Sequence, residues 1–313
     1  MSQYRYYFFP AITLHRLGLF LLFTLAALLC DPADDIPAAH AADRDKPLEV
    51  MVSILPQEYF VNRIGGDRVQ VKTLVQPGHS PHTYAPTPKQ MAALATSKIY
   101  FRIGVPFENG LIPKLARSFP HLTIINQSQG INMIPMEESS DDHDHDHGDL
   151  DPHTWLDPLL ALKQSIVIRD TLARFDPGGA AAYETNFTSL ARDLTQLDEQ
   201  LREILQPVAG KSIYVFHPAY GYFCRTYGLI QKAIKPDSKE PGARYLARFI
   251  EEAKKENIRV IFVQPQFSEK TAQTIARSVG ASVVDLDPLA ADYLENMRYL
   301  ARQLAFWLGK PGP

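Results

Sequence analysis

Between residues 183 and 204 apolar side chains recur at steps of four, three, four, three, four and three: Tyr183, Phe187, Leu190, Leu194, Leu197, Leu201 and Ile204. That period fits one α-helix with a single apolar stripe, closed by Pro207 and Gly210. The helix so predicted is about 40 Å long at 1.5 Å per residue. A rod of that length can cross from one lobe to another, and the patterns on either side of it are those of two α/β lobes.

Upstream, short β-branched runs alternate with amphipathic segments. "LEVMVSIL" (48–55) reads as a buried strand stopped by Pro56; an amphipathic stretch to Ile64, the turn "GGD" and the strand "VQVKTLV" follow. Then come a Pro-rich loop over 76–88, the helix "PKQMAALATS" with proline in its first turn, and the strands "KIYFRIG" and "HLTIIN". "DPLLALKQSIVIRDTLARFDP" is predicted helical up to Pro177. Downstream of the long helix the alternation restarts: strand "SIYVFH" (212–217), a helix from Ala219, "LIQKAI", a helix over 242–256, and strand "IRVIFVQ" (258–264). A helix over 268–279, strand "ASVVDLD" (281–287) and an amphipathic helix from Leu289 to Leu308 complete it. The predicted fold class is α/β: two lobes, each a mainly parallel sheet flanked by helices, joined by one long rigid helix. The predicted division is a signal region and linker over 1–41, a first lobe over 42–177, the connecting helix over 178–207 and a second lobe over 208–313.

At 313 residues two lobes of ordinary size are affordable. The net charge is −3 with no basic block, which excludes an electrostatic footprint for nucleic acid. No glycine-rich phosphate fingerprint follows a strand, which argues against nucleotides. Arg5 and Arg16 precede the thirteen-residue run from Leu17 to Leu29, too short to span a bilayer and followed by polar sequence: an export signal. "AHAA" at 39–42 offers small residues for cleavage, whereas Cys30 suggests lipid attachment. Leu29 stands where a small residue is wanted before such a cysteine, so the soluble exported form is favoured. Cys30 and Cys224 are the only cysteines, so the mature chain is expected to have no internal disulfide; Cys224 reads as a small buried apolar residue.

Ligands of open α/β sheets bind beyond the carboxyl ends of the strands. Four metal-capable side chains fall there. His82 lies in the loop after "VQVKTLV", His153 in the loop after "HLTIIN", His217 at the end of "SIYVFH" and Asp287 at the end of "ASVVDLD". Each lobe contributes two, placing the site in the interlobe cleft. Three imidazoles and one carboxylate suit four-coordinate Zn²⁺ at ~2.0–2.2 Å. Proline precedes His82 and His153 and follows His217, fixing the backbone beside each. Asp285 is an alternative to Asp287, and either can instead cap the last helix. A second feature is the acidic, histidine-rich loop 137–151, with eight carboxylates and no Lys or Arg. Its His143, His145 and His147 alternate with aspartates and form an auxiliary metal-collecting tract.

"GHSPHTYAPTPKQMAAL", "DPHTWLDPLLA", "FHPAYGYFCRTYGL" and "FVQPQFSEKTAQTIA" followed by "VVDLDPL" resemble, in order, the signatures of the zinc-type solute-binding proteins, the extracytoplasmic receptors of metal ABC importers. The resemblance implies two α/β lobes bridged by a rigid helix, with Zn²⁺ held between them as cargo for a membrane permease, in the periplasm or another extracytoplasmic space. It carries the ligand roles onto His82, His153, His217 and Asp287, and implies a monomer. Members that carry manganese typically have glutamate at the position of His217, so histidine there points to zinc. Gln264 stands where the family commonly has glutamate.

No HExxH helix, nucleophile elbow or Cys–His pairing is present, and Glu58, Glu108 and Glu184 read as single acids, solvated or in surface pairs. A structural zinc site would use closely spaced thiolates. A receptor is therefore expected rather than an enzyme, with an exported zinc hydrolase or a manganese- or iron-type receptor as alternatives. One stiff connecting helix predicts only modest lobe motion.

Overall fold

The computed structural model describes residues 46–136, 150–234 and 243–309. The export signal, Cys30 and the histidines at 143, 145 and 147 lie outside the described residues.

Eight strands and nine α-helices are found among the described residues. In the first half they are β1 (Leu48–Val52), α1 (Leu55–Gly65), β2 (Val69–Thr73), α2 (Pro88–Thr96), β3 (Ile99–Arg102), α3 (Phe107–Ser118), β4 (Thr123–Asn126) and α4 (Pro158–Phe175). The long helix α5 (Ala180–Leu205) follows. The second half holds β5 (Ser212–Val215), α6 (Gly221–Tyr227), β6 (Ile230–Ala233), α7 (Ala243–Lys255), β7 (Val260–Val263), α8 (Glu269–Val279), β8 (Ser282–Asp285) and α9 (Tyr293–Gly309). The strands form two all-parallel four-stranded sheets of identical topology, β2-β1-β3-β4 and β6-β5-β7-β8. In both, the chain runs to one side after the first strand and to the other thereafter, so the switch point lies between β1 and β3 and again between β5 and β7. Crevices at such points are where open sheets bind ligands.

Both faces of each sheet are covered, and the period-2 alternation of the strands shows how. Val50, Val52, Ile99, Phe101, Ile213, Val215, Val260 and Phe262 point into a core shared with α1, α4, α5, α6 and α9. Their sequence neighbours point the other way: Met51 and Tyr100 toward α2 and α3, and Tyr214, Phe216, Ile261 and Val263 toward α7 and α8. Helix α5 belongs to the shared core, with Tyr183, Leu190, Leu194, Leu197, Leu201 and Leu205 fully buried. Phe187 is only partly buried, and Leu205 rather than Ile204 takes the last core position.

Polar ties hold the two halves of α5 to different partners. Asp193 pairs with Arg63 of α1 at 2.5 Å, and Asn186 Nδ2 donates to Ile64 O at 3.0 Å. Further along, Tyr227 OH of α6 donates to Asp198 Oδ1 at 3.0 Å, and Arg298 of α9 to Gln200 Oε1 at 2.9 Å.

The sequence reading assigns no element to 105–120, yet α3 fills most of that span. Gly110 and Pro113 hide it: both are poor in helix interiors and both stand inside α3, which nevertheless buries its apolar face of Leu111 and Leu115 under the sheet. Cys224 is buried, as expected. No helix among the described residues is long and apolar enough to cross a membrane.

Candidate metal site

His82, His153 and His217 converge. One ring nitrogen from each lies within 4.8 Å of the other two, and they are the one such group of metal-capable side chains found among the described residues. His82 Nε2 and His217 Nε2 are 3.0 Å apart, and the His153 and His217 ring centres are separated by 5.4 Å. A tetrahedral ion with Zn–N bonds of ~2.0–2.1 Å keeps its nitrogens about 3.3 Å apart, so this spacing accepts such an ion with small side-chain adjustments.

Each histidine is mounted differently. His82 lies in the loop between β2 and α2, which begins with Leu74 N–H on Val52 O and Val75 N–H on Ser53 O, both at 2.9 Å. The loop ends in a reciprocal cap, Thr87 N–H on Gln90 Oε1 at 2.9 Å and Gln90 N–H on Thr87 Oγ1 at 3.3 Å. Beside the histidine, Phe107 N–H donates to Pro81 O and His82 N–H to Ser80 Oγ, each at 3.3 Å. His217 lies two residues beyond β5. The Gln264 amide grips its main chain from both sides, Nε2 donating to His217 O at 2.7 Å and Oε1 accepting from His217 N at 3.2 Å. Phe267 packs against the His217 ring with centroids 5.2 Å apart.

His153 is oriented by a residue the sequence reading did not single out. Asp151 Oδ1 accepts from His153 Nδ1 at 2.7 Å and from His153 N at 2.9 Å, with both side chains buried. This contact fits the tautomer that donates from Nδ1, which leaves the Nε2 lone pair available to a metal. The signal was present as the Asp-x-His spacing in "DPHTW", but spacing alone does not separate such a pair from a turn. The flanking residues anchor this segment on elements of the second half of the chain. Tyr222 OH donates to Asp151 O (3.1 Å), Trp155 Nε1 to Pro288 O (2.8 Å), Tyr293 OH to Trp155 O (2.7 Å) and Thr226 Oγ1 to Asp157 Oδ2 (2.6 Å).

Asp287 stands outside the trio of histidines. Its Oδ1 accepts from Gln266 Nε2 at 2.8 Å and from Leu289 N at 2.9 Å, an Asx-type turn that the sequence cannot distinguish from a ligand position. Asp285 is exposed at the end of β8. Neither caps the last helix; near its start Asp292 Oδ1 accepts from Glu295 N. The cleft around the histidines has an empty volume of about 370 Å³ including its open mouth. Its lining among the described residues is mostly apolar (Pro81, Val105, Pro106, Pro152, Trp155, Phe267, Pro288, Leu289), with Ser80, Gln264 and Gln266 as polar groups beside the histidines.

Glu108 corrects a second expectation, being fully buried instead of solvated. Its carboxylate accepts from Ile103 N (2.9 Å), Gly104 N (2.7 Å) and the Ser53 hydroxyl, and thereby pins the turn leading into Val105 and Pro106 of the cleft wall. Burial pushes its pKa up, and the donated hydrogen bonds only partly offset this. Glu58, by contrast, accepts from Thr73 in a half-buried setting, and Glu184 pairs with Arg169 at the surface.

Comparison with known proteins agrees with this architecture. The family model for the periplasmic zinc-uptake complex component A matches residues 50–306. The high-affinity zinc uptake system protein ZnuA of Bacillus subtilis is 30% identical over 285 residues, covering 87% of this chain and 88% of the relative. The manganese-binding lipoprotein MntA of Halalkalibacterium halodurans is 28% identical over 240 residues, 75% of this chain and 77% of that protein. Among solved structures, a crystal structure of ZnuA superposes with a TM-score of 0.78 at 38% identity, covering 84% of this chain and all of the other. A zinc-bound ZnuA deletion mutant gives 0.79 at 37% identity, with coverage of 86% and 100%. With two parallel sheets, one long helix and a family match spanning most of its length, the chain belongs to the periplasmic zinc-uptake component A family.

Proposed function

We propose that this chain is an extracytoplasmic receptor that captures Zn²⁺ and delivers it to the permease of an ABC importer. The observation that carries the reading is the convergence of three imidazoles in one cleft. Imidazole suits zinc, whereas Mn²⁺ prefers carboxylate and water oxygens. His82, His153 and His217 are the proposed ligands. Asp287 is the proposed fourth, reached by giving up its hydrogen bonds to Gln266 and Leu289 or by offering its other oxygen, since the next two residues, Pro288 and Leu289, already line the cleft.

The chain works as a receptor rather than an enzyme, as a monomer of two lobes over 42–177 and 208–313 with the helix of 178–207 between them. Its signal region over 1–41 directs export. The tract bearing His143, His145 and His147 collects metal weakly and is dispensable for the tight site. Isothermal titration of the chelator-stripped mature chain tests this: one tight equivalent of Zn²⁺, much weaker Mn²⁺, and loss of the tight phase in His217→Ala are expected. Equal affinity for Mn²⁺, an unaffected His217→Ala variant, or loss of the tight phase on deleting 141–149 refutes the ligand assignment. Metal-dependent hydrolytic turnover would overturn the receptor reading.

A further inference from the structure

One sequence motif serves two of the three histidines. "FHPAYGY" supplies His217, and four and five residues on it supplies Gly221 and Tyr222, which lie against Asp151, the carboxylate that orients His153. A Cβ built on Gly221 would stand 2.6 Å from Asp151 Oδ2, closer than real Cβ contacts come. The carboxylate cannot retreat cheaply, because its other oxygen is held by two N–H groups of His153 and its main chain by Tyr222 OH and by Asp151 N–H on Ile134 O at 2.8 Å. Gly221 is the first residue of α6 and its φ is not positive, so backbone strain does not demand glycine there. Clearance for Asp151 does.

We propose that Asp151 is the positioning residue of the metal site, and that Gly221 is a specific part of the same device, its missing side chain leaving the space in which the carboxylate holds His153 in the metal-accepting tautomer. The inference rests on the reading of His153 as a zinc ligand. It assigns to the 217–222 motif a second task besides supplying His217: setting the lone pair of a ligand that comes from the other side of the site. Groups that orient a metal-binding histidine in this way typically change metal affinity 10–100-fold when removed.

The test uses the mature chain with Gly221→Ala, Asp151→Asn and Asp151→Ala. Zinc affinity is read by competition with a chelator, and the ring tautomer of His153 by ¹⁵N NMR of the metal-free protein. Gly221→Ala is expected to weaken zinc 10–100-fold and to lose the Nδ1–H signature; its urea midpoint should fall as well, because the added Cβ crowds a buried carboxylate, so the tautomer is the deciding readout. Asp151→Ala should show the same two losses. Asp151→Asn, whose amide oxygen still accepts from Nδ1–H, should keep the tautomer and recover part of the affinity. Wild-type affinity and tautomer in Gly221→Ala overturn the proposal, as does weaker affinity with an unchanged tautomer, which marks a merely structural effect. If wild type itself fails to bind zinc, the proposed function fails separately, and the tautomer of the metal-free variants still decides whether Asp151 and Gly221 set the ring.

Discussion

Replacing Trp155 by phenylalanine removes one hydrogen bond and part of one ring at the place where the His153 segment meets the 286–293 segment. Trp155 is 1% exposed and its Nε1 donates to Pro288 O at 2.8 Å. Phenylalanine leaves that buried carbonyl without its donor, at about 1–3 kcal/mol. The void from the missing ring atoms adds roughly 1 kcal/mol at ~24 cal/mol per Å³. The expected destabilisation of the metal-free chain is therefore about 2–4 kcal/mol. Tyr293→Phe removes the bond to Trp155 O with little change in volume and is expected to cost about 1–3 kcal/mol. Because both bonds end on the same residue, the double variant should show a coupling of at least ~0.5 kcal/mol. Urea unfolding followed by far-UV circular dichroism measures all three, and zinc competition on the same samples reads the second effect. The His153 ring lies 5.2 Å from the Trp155 ring, so Trp155→Phe should also weaken zinc binding. A stability change under ~0.5 kcal/mol, the range of ordinary surface substitutions, refutes the tie between the two segments.

The remaining predictions concern pH and motion. The hydrogen bond from Arg68, at 2.7 Å, holds the Asp176 carboxyl below its usual value, so its contribution is present above the ordinary carboxylate pKa and is lost as pH falls through the lowered one; Asp176→Asn should flatten the acid limb of a urea-midpoint-against-pH curve, by no more than about 1 kcal/mol for so exposed a pair. Glu108 runs the other way. With its pKa raised by burial, its contribution is greatest below the ordinary carboxylate value and is lost as pH rises through the raised one, so the difference between wild type and Glu108→Gln should change across that window and be flat above it. Small-angle scattering should find nearly equal radii of gyration with and without zinc, because α5 is buried against helices from both halves of the chain; a change of several ångströms would refute a stiff connection.

Much of the fold was legible because its signals are local. Short β-branched apolar runs mark seven of the strands within a few residues, and the stripe from Tyr183 to Ile204 marks α5. The placement of His82, His153 and His217 was legible for a related reason: each lies on the connection that leaves the carboxyl end of a strand, β2, β4 and β5, and parallel sheets bring those ends to one edge. What stayed hidden depends on partners far away in sequence. Asp151 is a turn residue until Gly221 and Tyr222 fold against it. Glu108 reads as an ordinary helix-start acid until the main chain of 103–104 and Ser53 from the end of β1 close around it. For Asp287, the pattern "DLDPL" fits a ligand and a turn equally, and here Oδ1 is occupied by the turn.

Sequence order divides the four candidate ligands two and two, but hydrogen bonding divides the three histidines one and two. His153 comes from the chain before α5, yet four bonds of 2.6–3.1 Å fasten residues 151–157 to Tyr222, Thr226, Pro288 and Tyr293, all after α5. His153 and His217 are accordingly 6% and 3% exposed, on one continuous support. His82 is the exception: half-buried, on the loop between β2 and α2. A pair of fixed imidazoles preorganises capture, since little freedom is lost when an ion arrives.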